Sequence, residues 1–317
     1  MHESLTLLDE IRLNFSSEGL FVLNITLAFI MFGVALGIKV SHFKDVILSP
    51  KAAIVGFLSQ FLLLPAVTYG IILLINDYIT PTIAMGMILV ASCPGGNVSN
   101  FISSLAKGNV ALSVTLTAIA TLGAIILTPL NFSIWGGFYT RYLSRVDSAS
   151  LLRPIEINPY AMFETVFILL GIPLVIGMLV NHFLPKITRK INSPIRAISL
   201  LAFAAMVVMA FMKNYDYFLA HIKYVFILVL IHNTLGFLSG NLFAQFFKIG
   251  GANRRAITIE TGIQNSGLAL VLLFNPKIFP PDINNGGMAF IAAWWGIWHI
   301  LAGLALAGVW SRWKPKN

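Results

Sequence analysis

Ser92-Cys93-Pro94-Gly95-Gly96-Asn97-Val98-Ser99-Asn100 sits inside a long apolar run and holds the residues least able to continue a helix. Proline removes a backbone donor and clashes with the preceding turn, and paired glycines add the largest backbone freedom. The stretch therefore predicts a helix that stops at Pro94 and restarts near Asn97. A second stretch, Glu260-Thr261-Gly262-Ile263-Gln264-Asn265-Ser266-Gly267, interrupts the other half of the chain in a similar way. In hydrocarbon, backbone groups freed by a break must find partners or line a cavity, so each break is a candidate binding site. A structural kink would account for Pro94-Gly95-Gly96 taken alone; a second polar break containing a carboxylate weighs against it.

The sequence around these breaks is that of a membrane protein. Of 317 residues, 57% are hydrophobic and 10% charged, and the mean hydropathy is +0.85, which excludes an ordinary soluble domain. Apolar runs recur from Leu20 to Trp310, each suited to the roughly 20 helical residues that cross a hydrocarbon core of about 30 Å. The alternation of a transmembrane strand is absent. The expected fold is an all-α polytopic membrane protein with about nine transmembrane helices. They are placed at about Gly19–Val40, Ala52–Asn76, a third from Pro81 broken at Pro94 with a half-helix to Ala106, and a fourth ending near Trp135. Then come Pro159–Asn181, Pro194–Met212, Tyr224–Phe247, an eighth from Ala252 broken between Gly262 and Gly267, and Gly287–Trp310. Residues 3–18 read as a short amphipathic segment of acidic balance. Pro194 suits a first helical position, and Pro65, one turn after Gln60, predicts a kink. The single cysteine, Cys93, cannot form an intrachain disulfide. No cleavable signal peptide is expected.

The net charge of +9 comes from 21 basic and 12 acidic residues and is read through loop placement, not as a nucleic-acid signal. Lys39, Lys44 and Lys51, Lys107, Lys186 to Arg196, Lys248 to Arg255, and Arg312 to Lys316 fall in alternate connections and the C-terminal tail. The positive-inside rule puts these in the cytoplasm and the N-terminus outside. Arg141, Arg145 and Arg153, in the polar connection that divides the chain, are the dissenting loop. The two halves share a succession of a glycine-containing span, a broken helix and a closing span, which predicts inverted repeats.

Glu260 is the most informative ionisable residue, because a carboxylate deep in an apolar stretch costs several kcal/mol unless paired. Arg254 and Arg255 are candidate partners, but they precede it by more than one turn and are expected to reach the surface. A bound cation is the better partner. Hard cations take oxygen ligands, which Ser99, Asn100, Ser113, Thr117, Gln60, Gln264 and carbonyls near Thr261 and Ile263 can supply. Neutral oxygens around one carboxylate suit sodium. The half-helix starting near Asn97 presents free N–H groups to an anion, and Asn265 and His299 can add hydrogen bonds. Two monovalent cations, one carboxylate and one monoanion make a neutral load, which favours passage through the barrier. His232-Asn233 reads as packing. An intramembrane enzyme using Cys93 would need an activating base, and none is adjacent in sequence, so no enzymatic activity is expected.

Residues 93–100 with Gly108-Asn109-Val110-Ala111-Leu112-Ser113, and Thr258 through Ala269, resemble the bile acid:sodium symporter family, in particular its bacterial members. The resemblance covers nearly the whole chain and includes Gln60-Phe61 and Trp298-His299. It implies two crossed, discontinuous helices that hold two sodium ions. One resembles an ion held by Ser99, Asn100, Ser113, Thr117 and Glu260, the other an ion held by Gln60, Glu260, Gln264 and the carbonyls of Thr261 and Ile263. Asn97, Val98, Asn265 and His299 would face the substrate. A core domain, about 52–136 and 217–310, would move against a panel domain, about 19–40 and 159–213. Nine spans with an outside N-terminus are similar to the animal members, and relative to ten-span bacterial members the chain is expected to begin at their second span. Asn97 and Ile300 replace a threonine and an asparagine of those relatives on the substrate side. The implied activity is sodium-coupled import of an organic anion, bile acid-like or a small carboxylate such as pantoate or a keto acid. A proton-coupled or uncoupled anion carrier is the alternative. The implied location is the bacterial inner membrane, with the lipid bilayer but neither nucleic acid nor an obligate protein partner.

Overall fold

The computed structural model describes residues 5, 6, 8, 17–38, 50–96, 98–146, 158–212, 215–280 and 283–315. Among them the regular structure is helical throughout: α1 (Ser17–Ala35), α2 (Pro50–Tyr78), α3 (Pro81–Ser92), α4 (Val98–Leu105), α5 (Val110–Val146) and α6 (Pro159–Phe183). There follow α7 (Pro185–Met212), α8 (Tyr215–Phe246), α9 (Gly251–Gly262), α10 (Ser266–Leu273) and α11 (Gly286–Trp310). Five of these, α2, α5, α6, α8 and α11, are long and apolar enough to cross a membrane. The chain is an all-α polytopic membrane protein. Both expected breaks are present, between α3 and α4 and between α9 and α10.

Local chemistry accounts for the ends and bends. Pro81 and Pro159 open their helices where a missing N–H costs nothing, and Asn158 caps α6 by accepting from the N–H groups of Tyr160 and Ala161 at 3.1 Å. The kink expected at Pro65 is a π-helical segment, Ser59–Leu63, and the same device recurs at Phe167–Gly171 ahead of Pro173. A helical proline cannot bond the carbonyl four residues back, and one wide turn absorbs that mismatch. The carbonyl released by Pro65 belongs to Phe61, and Asn131 of α5 donates its amide to it at 2.9 Å.

Four boundaries differ from expectation. Helix α1 ends at Ala35, short of the expected Val40. Helix α5 does not stop near Trp135 but continues through the polar residues to Val146, because leaving the apolar run ends the membrane contact, not the helix. Pro194 lies inside α7, and Pro185 opens that helix instead; the Leu184 carbonyl accepts from the Thr188 N–H at 2.9 Å, so α6 passes into α7 through one residue. Helix α8 begins at Tyr215, ahead of its apolar stretch. Of the expected amphipathic segment at 3–18, most lies outside the described residues.

Helix α1 packs against α6 and α7, while α3, α4, α8, α9 and α10 gather around α11 or one another. Small residues set these approaches. A β-carbon on Gly177 of α6 would lie 2.5 Å from Ala35 Cβ of α1, and one on Gly33 of α1 would lie 2.9 Å from Ile195 of α7. In α3, a β-carbon on Gly86 would lie 2.7 Å from the Met288 Cα of α11, a backbone atom that no rotamer change can move. Gly86→Val is therefore expected to lower the thermal midpoint, by an overpacking cost of about 1–3 kcal/mol. Gly137→Ala, where a methyl group meets nothing within 4 Å, holds the midpoint or raises it slightly through helix propensity. Circular dichroism melts of the purified variants check both.

Candidate functional site

The two breaks meet. Gly96 donates its N–H to the Ile263 carbonyl at 2.8 Å, and Asn265 donates its N–H to the Pro94 carbonyl at 2.8 Å, an antiparallel bridge centred on Gly95 and Gln264. The backbone groups freed in each half are thus paired by the other. Only glycine fits there: a β-carbon on Gly95 would fall 2.3 Å from Glu260 Oε1, and one on Gly96 would fall 3.0 Å from the Gln264 carbonyl oxygen.

Glu260, near the end of α9, is 1% exposed. Ser99 Oγ of α4 donates to its Oε2 at 2.6 Å, and Thr117 Oγ1 of α5 lies 2.9 and 3.1 Å from Oε1 and Oε2. The Thr117 oxygen is also 3.0 Å from the Ser113 carbonyl and 3.3 Å from Asn100 Oδ1. One hydroxyl hydrogen therefore faces four acceptor oxygens. Ser113 Oγ is buried and has no partner among the described residues. Such a surplus of oxygen lone pairs around a carboxylate is the environment a hard monovalent cation fills. Ser99, Asn100, Ser113, Thr117 and Glu260, which the family resemblance groups around one ion, form one cluster.

Neither arginine pairs with the carboxylate. Arg255 is buried, but its Nη1 donates to the carbonyls of Ala106, Trp310 and Trp313 at 2.7, 3.1 and 3.2 Å, at the far end of α9. It does not reach out to the surface, as its position near a helix start suggested; three helix-end carbonyls hold it inside.

The second expected group also converges, on the other side of Gly95. Gln60 Nε2 donates to Gln264 Oε1 at 2.8 Å and to the Cys93 carbonyl at 2.9 Å, and Gln264 Nε2 donates to the Thr261 carbonyl at 2.8 Å. The Ile263 carbonyl takes the Gly96 N–H. Donors and acceptors balance here, so a cation would require both amides to turn their oxygens inward. The hydrogen bonds of Glu260 go to the first group.

Beside the junction lies a cavity of about 450 Å³, walled by α1 and α7 on one side and by α4, α5, α10 and α11 on the other. Val98, Asn265 and His299, which the resemblance assigns to the substrate, line it; Asn97 lies outside the described residues. Asn265 Oδ1 caps α10 by accepting from the Leu268 N–H at 3.1 Å. No lysine or arginine lines the cavity. Three polar atoms of its lining residues, His299 Nδ1, Ser199 Oγ and Ser266 Oγ, are buried without partners among the described residues.

Sequence reading missed three contributors. Asn233 of α8, read as packing, donates its amide to the Gly262 carbonyl at 2.7 Å and so holds the last turn of α9. Ser59 shares a hydrogen bond of 3.0 Å with the Thr261 hydroxyl. Ser199 reaches the cavity from α7, a helix with no motif to draw attention. A polar residue in an apolar helix was the signal for Asn233, but its target could not be read without the fold. Asn233→Leu leaves that carbonyl orphaned and is expected to destabilise the protein by about 1–3 kcal/mol, read as a lower midpoint in thermal melts. His232→Gln, which keeps a polar partner for Thr68, 2.7 Å away, should cost less.

The pattern of the Sodium Bile acid symporter family matches residues 24–221. An uncharacterised sodium-dependent transporter of Bacillus subtilis is 32% identical over 95% of this chain and 88% of its own length. A probable chloroplastic sodium/metabolite cotransporter of Arabidopsis thaliana is 31% identical over 90% of this chain and 66% of its own length. The human ileal sodium/bile acid cotransporter is 32% identical over 81% of this chain and 70% of its own length. With its two paired breaks and buried carboxylate, the chain belongs to the sodium bile acid symporter family, a family of transporters and not of enzymes.

Proposed function

We propose that this protein couples the entry of sodium to the import of an organic anion by alternating access. The observation that carries the reading is Glu260: a buried carboxylate at the junction of two broken helices, met by hydroxyls and amide oxygens and by no basic side chain among the described residues. The relatives' names, each of which speaks of sodium, support the ion.

In this reading two sodium ions bind. The first sits among Ser99, Asn100, Ser113, Thr117 and Glu260, the second among Gln60, Gln264, Glu260 and the carbonyls of Thr261 and Ile263. The anion occupies the adjoining cavity, its charge met by Asn97, Asn265, His299 and the N–H groups at the start of α4 near Val98. Two cations against Glu260 and one monoanion leave no net charge, so the loaded site crosses the barrier without exposing a bare ion to hydrocarbon. The moving parts are a core, about 52–136 and 217–310, and a panel, about 19–40 and 159–213, the cavity lying between them. The packing of α1 on α6 and α7 supports that division. The chain makes nine passes as two inverted repeats, in the inner membrane of a bacterium, with its N-terminus outside and its C-terminus in the cytoplasm.

The test compares parent and Glu260→Gln. In the parent, replacing potassium or choline by sodium at constant ionic strength raises the thermal midpoint and drives uptake of a suitable anion. In the variant both responses vanish. A parent that does not distinguish sodium from potassium sinks the coupling, and uptake in sodium-free buffer that follows the pH gradient selects a proton-coupled carrier. Thr117→Val, which removes one oxygen of the first group and keeps the shape, should weaken apparent sodium affinity roughly tenfold or more, as read from titrations of that midpoint.

A further inference from the structure

A second cavity lies at the other end of α9, where that helix begins and α11 ends. It measures about 690 Å³ and is lined by Arg254, Arg255, Lys314, Trp310, Trp313 and Asn241, among others. Its lining holds three cationic side chains and no acidic one. The described acidic side chains lie elsewhere: Glu260 is bonded to Ser99 and Thr117, Glu164 faces Lys277 at 3.6 Å, and Asp77 sits at the end of α2. Arg255, 8% exposed, is held entirely by carbonyl oxygens and by the Trp310 ring, 5.5 Å from its guanidinium carbon. Those contacts fix its position, but none neutralises its charge. A buried cation with neutral partners, two more cations at the rim and a shaped cavity call for an anion. The start of α9, at Gly251 in the lining, has no side-chain cap and adds free N–H groups of the same sign.

The surroundings decide which anion. On the two helices that supply the lining residues Asn241 and Trp310, apolar side chains are left exposed nearby in sequence: Leu242, Phe246 and Val309 are 60%, 78% and 48% exposed. Trp310 and Trp313 stand at the end of the last apolar helix, the level at which tryptophan marks the headgroup zone. A soluble anion would use the cations and leave that apolar flank unused.

We propose that this cavity binds the phosphate of an anionic phospholipid, with the acyl chains lying along α8 and α11. The lipid binds across the C-terminal segment, α9 and α11, and ties that segment to the helix that carries Glu260. The site is separate from the ion and anion sites, because Arg254 precedes Glu260 by six residues, about 9 Å along the helix axis.

The experiment uses the full chain purified in a neutral detergent, with phosphatidylglycerol, phosphatidylcholine or inorganic phosphate added, reading bound lipid by native mass spectrometry and the thermal midpoint. Phosphatidylglycerol is expected to be retained and to raise the midpoint, and phosphatidylcholine is not. Arg254→Gln combined with Lys314→Gln, both outside the candidate ion and substrate sites, should weaken the phosphatidylglycerol response roughly thirtyfold. The matched control, Lys107→Gln with Lys248→Gln, removes the same charge from exposed turns at the same end and should leave the response intact. Equal weakening in the control means diffuse surface attraction and overturns the site. Competition by inorganic phosphate at similar strength overturns the lipid as its occupant, and an equal response to phosphatidylcholine overturns the role of the cations.

Discussion

Two backbone hydrogen bonds join the broken helices, Gly96 to Ile263 and Asn265 to Pro94, and the interior of the protein depends on them. Each break strips a membrane helix of intrahelical partners, and hydrocarbon offers none in return. Neither half of the chain can bury its own break alone; each is satisfied only by the other. The pairing therefore fixes the relation between α3–α4 and α9–α10 more firmly than apolar packing would, since packing in lipid gains little from a hydrophobic driving force. It also favours glycine at 95 and 96, because the Glu260 carboxylate and the Gln264 backbone occupy or crowd the space a side chain would take.

The same junction explains how a carboxylate can be buried. The helix end leaves Glu260 among hydroxyls that can point either a hydrogen or a lone pair at it, so the group is solvated by rotatable dipoles and not by a fixed positive charge. A fixed arginine there would neutralise the site permanently and remove any reason for an ion to bind. Arg255, five residues earlier on α9, is instead held by the carbonyls that end α4 and α11. Helix α9 thus carries a buried carboxyl group and a buried guanidinium that are kept apart.

Much of this was legible in the sequence because breaking a helix and burying a carboxylate both need particular residues. Pro94, Gly95, Gly96 and Gly262 mark the breaks, and Glu260 marks the chemistry, without any tertiary information. The oxygen cluster was readable only in part: Ser113 and Thr117 at i, i+4 share a face wherever the helix goes, but their grouping with Ser99, Asn100 and Glu260 as ligands came from the family resemblance. Helix ends were harder. The apolar run stops at the membrane boundary while the backbone of α5 continues, and nothing local distinguishes Pro185 as a helix opener from Pro194 as an internal residue. Asn233 and Arg255 were misread because their partners are backbone carbonyls far away in the chain, and a carbonyl leaves no trace in the residue code.

In the proposed reading, coupling between ion and anion passes through groups that both sites share, since each ligand raises the other's affinity by favouring the same arrangement of the protein. The junction supplies such groups. Asn100 and Thr117 line the cavity and belong to the first oxygen cluster; Gly96, Ile263 and Gln264 line the cavity and form the bridge or the second cluster. In that reading a cation held by the Asn100 and Gln264 oxygens would fix the orientation of both amides, and with it the polar groups that the cavity presents to an anion. Ion and anion would then favour the same arrangement of the same side chains, and the two affinities would rise together.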